Sequence, residues 1–282
     1  MEAATSTIGL RDLHGPSALS AGGWRRFWRV LWQMTKTDFQ LRYSQPALGY
    51  IWPLLGPMIY ATVLYIAFTR FLRFGGEVNH YAALLIFNIL TFQFFVSSAS
   101  SAARSFVGKQ NLTRKVEFPM LVVPLASVAS NFISYLFNMV VAFGFIFATG
   151  VEPKWTWLFF PLLVLAWLTV ASVTAVLLAS VYLRFRDVTE LWNSTQRAMF
   201  YASPVIFPIE IFPERWHFIL QYNPVAPILA QGRVWIIDAD APTYAEALGG
   251  PSHLLIPLGL FLLGAVAAIV TFRRAIPRAA ER

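Results

Sequence analysis

Residues able to carry out catalysis are scarce in this sequence. It contains no cysteine, which excludes thiol catalysis, disulfides and thiolate metal sites. The four histidines are scattered along the chain and have no metal-binding spacing with acidic residues. The single Gly-Lys pair, at residues 108–109, lacks the glycine five residues earlier that a nucleotide-binding loop requires. The sequence therefore predicts no catalytic site, no metal and no cofactor in this chain.

Uncharged polar side chains form the clearest pattern. Ser127, Ser130, Asn131, Ser134 and Asn138 recur at i, i+3, i+4, i+7 and i+11, so they share one face of a helix. Such a face either packs against a neighbouring helix through small polar groups or lines a polar conduit. The spacing leaves both interpretations open.

Aromatic residues are also dense, at 16% of the chain. A ring can stack on the apolar face of a sugar, while a tyrosine hydroxyl bonds to the sugar hydroxyls. Rings at the lipid surface are the alternative. The aromatic residues predicted to line a conduit are Tyr50, Trp52, Tyr60, Phe200 and Tyr201.

Membrane-spanning helices must position these residues. The chain is 57% hydrophobic and only 13% charged, against a charged fraction of about 25% in soluble domains. A spanning helix needs about 20 mostly apolar residues. Five stretches free of Asp, Glu, Lys and Arg qualify: Tyr43–Thr69, Val78–Ala103, Phe118–Val151, Trp155–Leu183 and Ala247–Phe272. A sixth, Leu191–Ile209, is weaker because it contains Arg197 and two prolines.

Basic residues set the orientation, because they favour the cytoplasmic side. Six spans with a cytoplasmic N-terminus leave five of the 22 lysines and arginines outside: Arg70, Arg73, Lys154, Arg215 and Arg233. Five spans would place the C-terminal cluster of Arg273, Arg274 and Arg278 outside as well. The pattern predicts six spans in an inner membrane, with both termini cytoplasmic.

Two segments differ from the spans. Trp24, Phe27, Trp28 and Leu31 recur at helical spacing beside basic residues, which predicts an amphipathic helix in the membrane surface. This helix is either a simple anchor or a contact for a cytoplasmic partner. The outer segment, residues 210–250, is too apolar for a free loop and is interrupted by prolines, which predicts short re-entrant helices.

The predicted fold is therefore an all-α integral membrane protein. Its expected parts are a polar cytoplasmic tail (1–23), the interfacial helix (24–42), a six-helix transmembrane domain (43–274) and a short cytoplasmic tail (275–282).

Four ordered motifs carry a family resemblance. They are LRYSQPALGYIWPLLGPM from Leu41, NLTRKVEFPMLVVPLASV from Asn111, RFRDVTELW from Arg184 leading to YASPVIFPIEIFPERW from Tyr201, and YNPVAPILAQGR from Tyr222. With this topology, the chain resembles the membrane subunit of ABC-type polysaccharide exporters. That family includes permeases for O-antigen, capsule, teichoic acid and lipid-linked galactan.

The resemblance implies a homodimer joined to two copies of a separate ATP-binding subunit, which would bind ATP and Mg²⁺. The cargo would be a polysaccharide on a polyprenyl-diphosphate carrier. Contacts with the ATPase would involve Trp28, Asn111, Leu112, Arg114, Lys115, Glu117, Arg186 and Asp187. A periplasmic gate would include Phe212, Trp216, Tyr222 and Asn223.

Other classes of protein compete with this interpretation. A related permease could export small lipophilic drugs or other lipids. A membrane-embedded glycosyltransferase would need paired acids for Mg²⁺ and diphosphate. The acidic pair Asp238 and Asp240 is predicted to lie outside, away from nucleotide sugars. A passive scaffold would show no response to ATP.

Overall fold

The computed structural model describes residues 23–43, 52–71, 78–109 and 119–281. All regular secondary structure in these ranges is helical. Four of the described helices are long and apolar enough to cross a membrane. The prediction of an all-helical protein with membrane-spanning segments is therefore confirmed, whereas the total of six spans stays a prediction.

The helices are numbered in chain order. The first half of the chain forms α1 (Gly23–Tyr43), α2 (Trp52–Ile66), α3 (Tyr81–Ala103), the single turn α4 (Ser105–Gly108) and α5 (Val122–Ala148). The second half forms α6 (Phe160–Tyr182), α7 (Val188–Tyr201), α8 (His217–Gln221), α9 (Ala226–Gly232), α10 (Tyr244–Ala247) and α11 (Leu255–Glu281). A π-helical turn, Ala67–Phe71, extends α2, and 3₁₀ turns at Trp155–Phe159 and Pro251–Leu254 lead into α6 and α11.

Helix α3 is the centre of the bundle. In its most apolar stretch 78% of the residues are buried, against 11% in α11. It packs against α5, α6 and α2, while α11 packs on the outer side of α6. Lipid tails are as apolar as leucine, so helices in a membrane associate through close packing of small residues. Ala99 and Ala102 of α3, and Ala171 and Ala175 of α6, are fully buried and allow this approach.

Helix α1 packs against the beginning of α5. Leu31 and Met34 are buried with Val122 and Val123 of α5. Trp28, by contrast, is 49% exposed. The apolar stripe that the sequence predicted as one face is therefore divided, with leucine and methionine packed on protein and the tryptophan rings pointing outward.

The first predicted span, Tyr43–Thr69, is described only in part. Tyr43 is the last residue of α1, and the next described helix begins at Trp52. Residues 44–51 lie outside the described ranges. Within the predicted span, the structure has a short apolar helix, Leu55–Thr69.

The weak fifth span, predicted at Leu191–Ile209, is helical only in part. Helix α7 begins earlier, at Val188, and ends at Tyr201. Pro204 and Pro208 follow, and proline cannot donate the backbone hydrogen bond that a helix needs. The 14 residues of α7 extend about 21 Å at 1.5 Å per residue, less than the roughly 30 Å of a bilayer core.

The last span also begins later than its predicted residue, Ala247. That residue ends the short helix α10, and α11 begins at Leu255. Between them Gly249 has a φ of +89°, a left-handed conformation that glycine adopts without steric cost. The turn separates the two helices and excludes one continuous span.

The outer segment forms a small folded unit with its own core. Ile209, Leu220, Ala226 and Tyr244 are buried together. Burial raises the pKa of the Tyr244 hydroxyl to about 12, and this hydroxyl donates a 3.1 Å hydrogen bond to the Leu220 carbonyl. The short helices of the outer segment are therefore fixed to one another by buried contacts.

A capping box begins α10 in this unit. The Thr243 side chain accepts a bond from the Glu246 backbone N–H, and the Glu246 carboxylate accepts one from the Thr243 N–H at 2.7 Å. The backbone N–H of Thr243 stabilises the charged carboxylate and so lowers the pKa of Glu246.

Candidate functional site

The predicted polar face of α5 is largely occupied by helix packing. The Asn131 side chain is buried, and its amide donates to the Ser101 hydroxyl at 2.8 Å and to the Ser127 carbonyl at 2.7 Å. Its carbonyl oxygen accepts a 2.6 Å bond from the Arg42 guanidinium. For Asn131 these bonds favour the packing interpretation over the conduit lining.

The other members of this face differ in exposure. Ser127 is buried, whereas Ser134 and Asn138 are half-buried. Ser134 donates to the Ser130 carbonyl at 3.2 Å. The face is therefore closed near the beginning of α5 and more open toward its middle.

An open pocket of about 460 Å³, bounded mainly by polar residues, lies beside Asn131, and we call it the polar cavity. It is bounded by the last turns of α3, with Ser97 and Ser101, and by the first turns of α7, with Asn193. Arg42 and Arg104 supply its positive charge. This end of the bundle is the one that the distribution of basic residues predicts to be cytoplasmic.

Hydrogen bonds hold the wall of the polar cavity in place. The Trp192 indole N–H donates to the Ser100 hydroxyl at 2.9 Å, and that hydroxyl donates to the side-chain amide oxygen of Gln196 at 3.3 Å. The Phe95 ring packs edge-on against Trp192, with centroids 5.7 Å apart. Helix α7 is thereby fixed to α3 along the cavity.

Three of the aromatic residues predicted to line a conduit lie next to one another, on α2 and α7. The Tyr60 ring of α2 lies 5.9 Å from the Phe200 ring of α7, and Phe200 lies 5.3 Å from Tyr201. Tyr60 and Tyr201 are 43% and 66% exposed. We call these three residues the aromatic face. Tyr50 lies outside the described residues, and Trp52 is described only as the first residue of α2.

The predicted gate residues divide into exposed and buried groups. Trp216 and Tyr222 are exposed, and Phe212 is half-buried against the core of the outer segment. Asn223 is buried, and its amide donates a 2.6 Å bond to the Ser203 hydroxyl. Asn223 therefore fixes the outer segment to the turn that follows α7.

An ion pair between Arg233 and Glu210 links two parts of the outer segment. One nitrogen of the Arg233 guanidinium lies 2.8 and 2.9 Å from the two carboxylate oxygens of Glu210. A second nitrogen lies 3.8 Å from the Asp238 carboxylate. Only 12% of the Arg233 side chain is exposed, so in a partly buried setting these charges join the beginning of the outer segment to the turn that follows α9.

The predicted coupling residues are only partly described. Trp28 is exposed on α1, and Arg186 and Asp187 are exposed in the turn before α7. Asn111, Leu112, Arg114, Lys115 and Glu117 lie outside the described residues. Lys109, the last described residue before them, forms an ion pair with Asp38 of α1 at 2.5 Å. This pair connects the predicted coupling loop to α1.

Sequence reasoning missed the two arginines of the polar cavity and its α7 wall. In the sequence, Arg42 is one of the basic residues that set the orientation and part of the motif that begins at Leu41, and neither points to a cavity; Asn193 carries no motif of its own. The spacing of Asp38 and Arg42, four residues apart on α1, placed both on one face and could have indicated that this face meets polar partners. In the described ranges no group of three His, Asp or Glu residues could hold a metal ion.

The long apolar helices and the polar groups enclosed among them define an integral membrane protein. Residues 29–234 match the family described as ABC-2 type transporter. The chain belongs to the ABC-2 type transporter family and is a multi-pass membrane component of an ABC transporter.

Two relatives are described as O-antigen export system permease protein RfbA. The one from Klebsiella pneumoniae is 27% identical over 201 residues, which cover 71% of this chain and 77% of that protein. The one from Myxococcus xanthus is 24% identical over 247 residues, which cover 87% and 92% of the two chains.

Proposed function

We propose that this chain is the transmembrane subunit of an ATP-driven exporter that moves polyprenyl-diphosphate-linked polysaccharide out of the cytoplasm. The observation that carries the proposal is similarity along most of the chain to permeases described as O-antigen exporters. The cargo would be of the O-antigen, galactan or teichoic-acid type. In the proposal the chain has no active site, and ATP and Mg²⁺ bind to a separate subunit.

Two copies of the chain would form the conduit, each joined to one ATP-binding subunit. Six spans would cross the inner membrane, with α2 and α7 as the two short ones and both termini cytoplasmic. The outer segment would dip into the outer leaflet, where its own backbone hydrogen bonds and the bond from Tyr244 to the Leu220 carbonyl satisfy part of its non-helical backbone.

The aromatic face supports a glycan as cargo. Exposed tyrosine rings can stack against successive sugars while their hydroxyls bond to the polymer, and neither contact requires one particular sugar. Rings of this kind hold a polymer weakly at many points, so they permit it to slide.

The second candidate function is export of a small lipophilic drug or another lipid, for which exposed apolar surface would suffice. Proteoliposomes that contain the chain and its ATP-binding subunit can be offered a lipid-linked glycan and a hydrophobic dye in parallel. We expect ATP-dependent movement of the glycan and little movement of the dye. Transport of the dye alone would overturn the proposal and favour the second candidate.

A further inference from the structure

We propose that the polar cavity binds the diphosphate headgroup of the carrier lipid. The chemical class of ligand is a phosphoryl group with several acceptor oxygens and at least two negative charges. The attached isoprenoid chain, as the source of that group, rests on the proposed function; the anion site itself rests on the cavity.

The charge of the cavity is the first reason. Arg42 and Arg104 both line it, and no carboxylate does so among the described residues. The acid nearest in sequence to Arg42 on α1, Asp38, is already paired with Lys109 at 2.5 Å. The two guanidinium groups therefore lack a compensating charge from the described chain, which an anion would supply.

The surplus of hydrogen-bond donors is the second reason. Arg42 makes one bond, to Asn131, and a guanidinium has five N–H donors. In the ranges that the structure describes, neither the Arg104 guanidinium nor the Asn193 amide makes a side-chain hydrogen bond. A diphosphate offers only acceptors, and arginine binds phosphate oxygens through paired, charge-assisted bonds.

The rigidity of the site is the third reason. Asn131 holds the Arg42 side chain at 2.6 Å, and its own amide is fixed by Ser101 and Ser127. An arginine held before the ligand arrives loses less side-chain entropy on binding. Arg42 is exposed, and this one bond orients its guanidinium toward the cavity.

The size and position of the cavity suit a headgroup rather than a polymer. Its volume of about 460 Å³ falls in the usual range of small-ligand sites, roughly 300–1,000 Å³. It lies where α3 ends and α7 begins, at the membrane surface of the predicted bundle. A lipid diphosphate presented from the inner leaflet would meet it there, before any sugar enters the conduit.

Native mass spectrometry of the purified chain with its ATP-binding subunit can test the site. The complex is titrated with a polyprenyl diphosphate and, in separate arms, with polyprenol, inorganic diphosphate and phosphatidylglycerol. The variants are Arg104→Gln and Arg42→Gln. Arg273→Gln is the matched control, since Arg273 is exposed like the two cavity arginines and lies at the same end of the bundle, but does not line the cavity. The unfolding midpoint of each variant reports whether the fold is kept.

We expect each cavity variant to bind polyprenyl diphosphate about tenfold more weakly, because a lost bond to a charged group costs that factor or more. The control should bind as the wild type does. Equal affinity in wild type and Arg104→Gln, which breaks no bond in the described structure, would overturn the proposal. Equally tight binding of polyprenol or phosphatidylglycerol would also overturn it. Inorganic diphosphate bound as tightly, and weakened by Arg104→Gln, would keep the anion site and overturn only the carrier lipid as the source of the group.

Failure of this inference is distinguishable from failure of the proposed function. If wild-type vesicles export the glycan while the arginine variants bind the carrier normally, only the assignment of the cavity is wrong. If wild-type vesicles export no glycan, the proposed function is wrong whatever the binding assay shows.

Discussion

Asn131 belongs to the polar pattern in the sequence, and its side chain also connects three helices in the structure. Its helical spacing with four other polar residues was visible in the sequence, and so was the choice between packing and conduit lining. Its partners on other helices were not visible, because Arg42 and Ser101 lie 89 and 30 residues away along the chain. Periodicity predicts a shared face, but the neighbour of that face depends on tertiary contacts.

Replacing Asn131 by alanine should destabilise the complex by about 1–3 kcal/mol, since Ser101 and Arg42 would lose their buried partner. The thermal unfolding midpoint measures this change. Asn138→Ala is the control, because that amide lies on the same face and is only half-buried. Equal midpoints for the two variants would contradict the role of Asn131 in joining α1, α3 and α5.

The aromatic face makes a prediction about transport. Tyr60→Ala and Tyr201→Ala should each slow glycan export roughly twofold to twelvefold, as expected for a lost ring contact of about 0.5–1.5 kcal/mol. Basal ATP hydrolysis should stay near the wild-type rate, because both side chains are exposed. The phenylalanine variants keep the ring and should lose less. Parallel loss of export and hydrolysis would indicate a packing role instead.

At the scale of elements, long apolar runs were predictable and interrupted ones were not. Helices α3, α5 and α6 lie within the spans expected from hydropathy, because an uninterrupted apolar sequence in lipid has only the helix available. Helix α7 and the outer segment were harder to predict. Pro204, Pro208 and Gly249 divide that region into short helices whose ends depend on contacts with α3, α6 and one another.

Close approach of α9 to α3 gives a test of this packing. A Cβ atom at Gly232 would lie 2.7 Å from the Phe87 ring, which is buried. Gly232→Ala should therefore destabilise the protein by about 1–3 kcal/mol through overpacking. Gly259→Ala on α11 is the control, since its Cβ would meet nothing within 4 Å.

Thermal unfolding of the two alanine variants and of Gly232→Ala combined with Phe87→Leu checks the contact. Shortening the ring should restore part of the stability that the alanine removes. A Gly232→Ala midpoint as high as that of Gly259→Ala would contradict the close packing of α9 on α3.

At the scale of the whole molecule, the partner that would supply energy was predicted from the resemblance to ABC exporters and not from individual residues. The sequence motifs by themselves name no energy source, whereas the resemblance implies a separate ATP-binding subunit. The polar cavity, by contrast, was found only in the structure. Its lining comes from α1, α3, α5 and α7, so no local motif contains it.

Coupling between subunits can be tested at the predicted loop. Charge reversal of Arg114 and Lys115 to glutamate should weaken association with the ATP-binding subunit, because like charges would replace attractive ones there. Reversal of Arg273 and Arg274 makes the same charge change on the same predicted side and should leave association intact. The measurement is co-purification with a tagged ATPase at fixed salt. Equal recovery of both double variants would contradict the assignment of the loop.

The central claim is that this chain provides a path and a second, ATP-hydrolysing polypeptide drives the cargo along it. The most direct measurement is movement of a polyprenyl-diphosphate-linked glycan across proteoliposomes, with and without the ATP-binding subunit and with and without ATP. We predict transport only when the partner and ATP are both present. Transport by the chain alone, or at the same rate without ATP, would contradict the account.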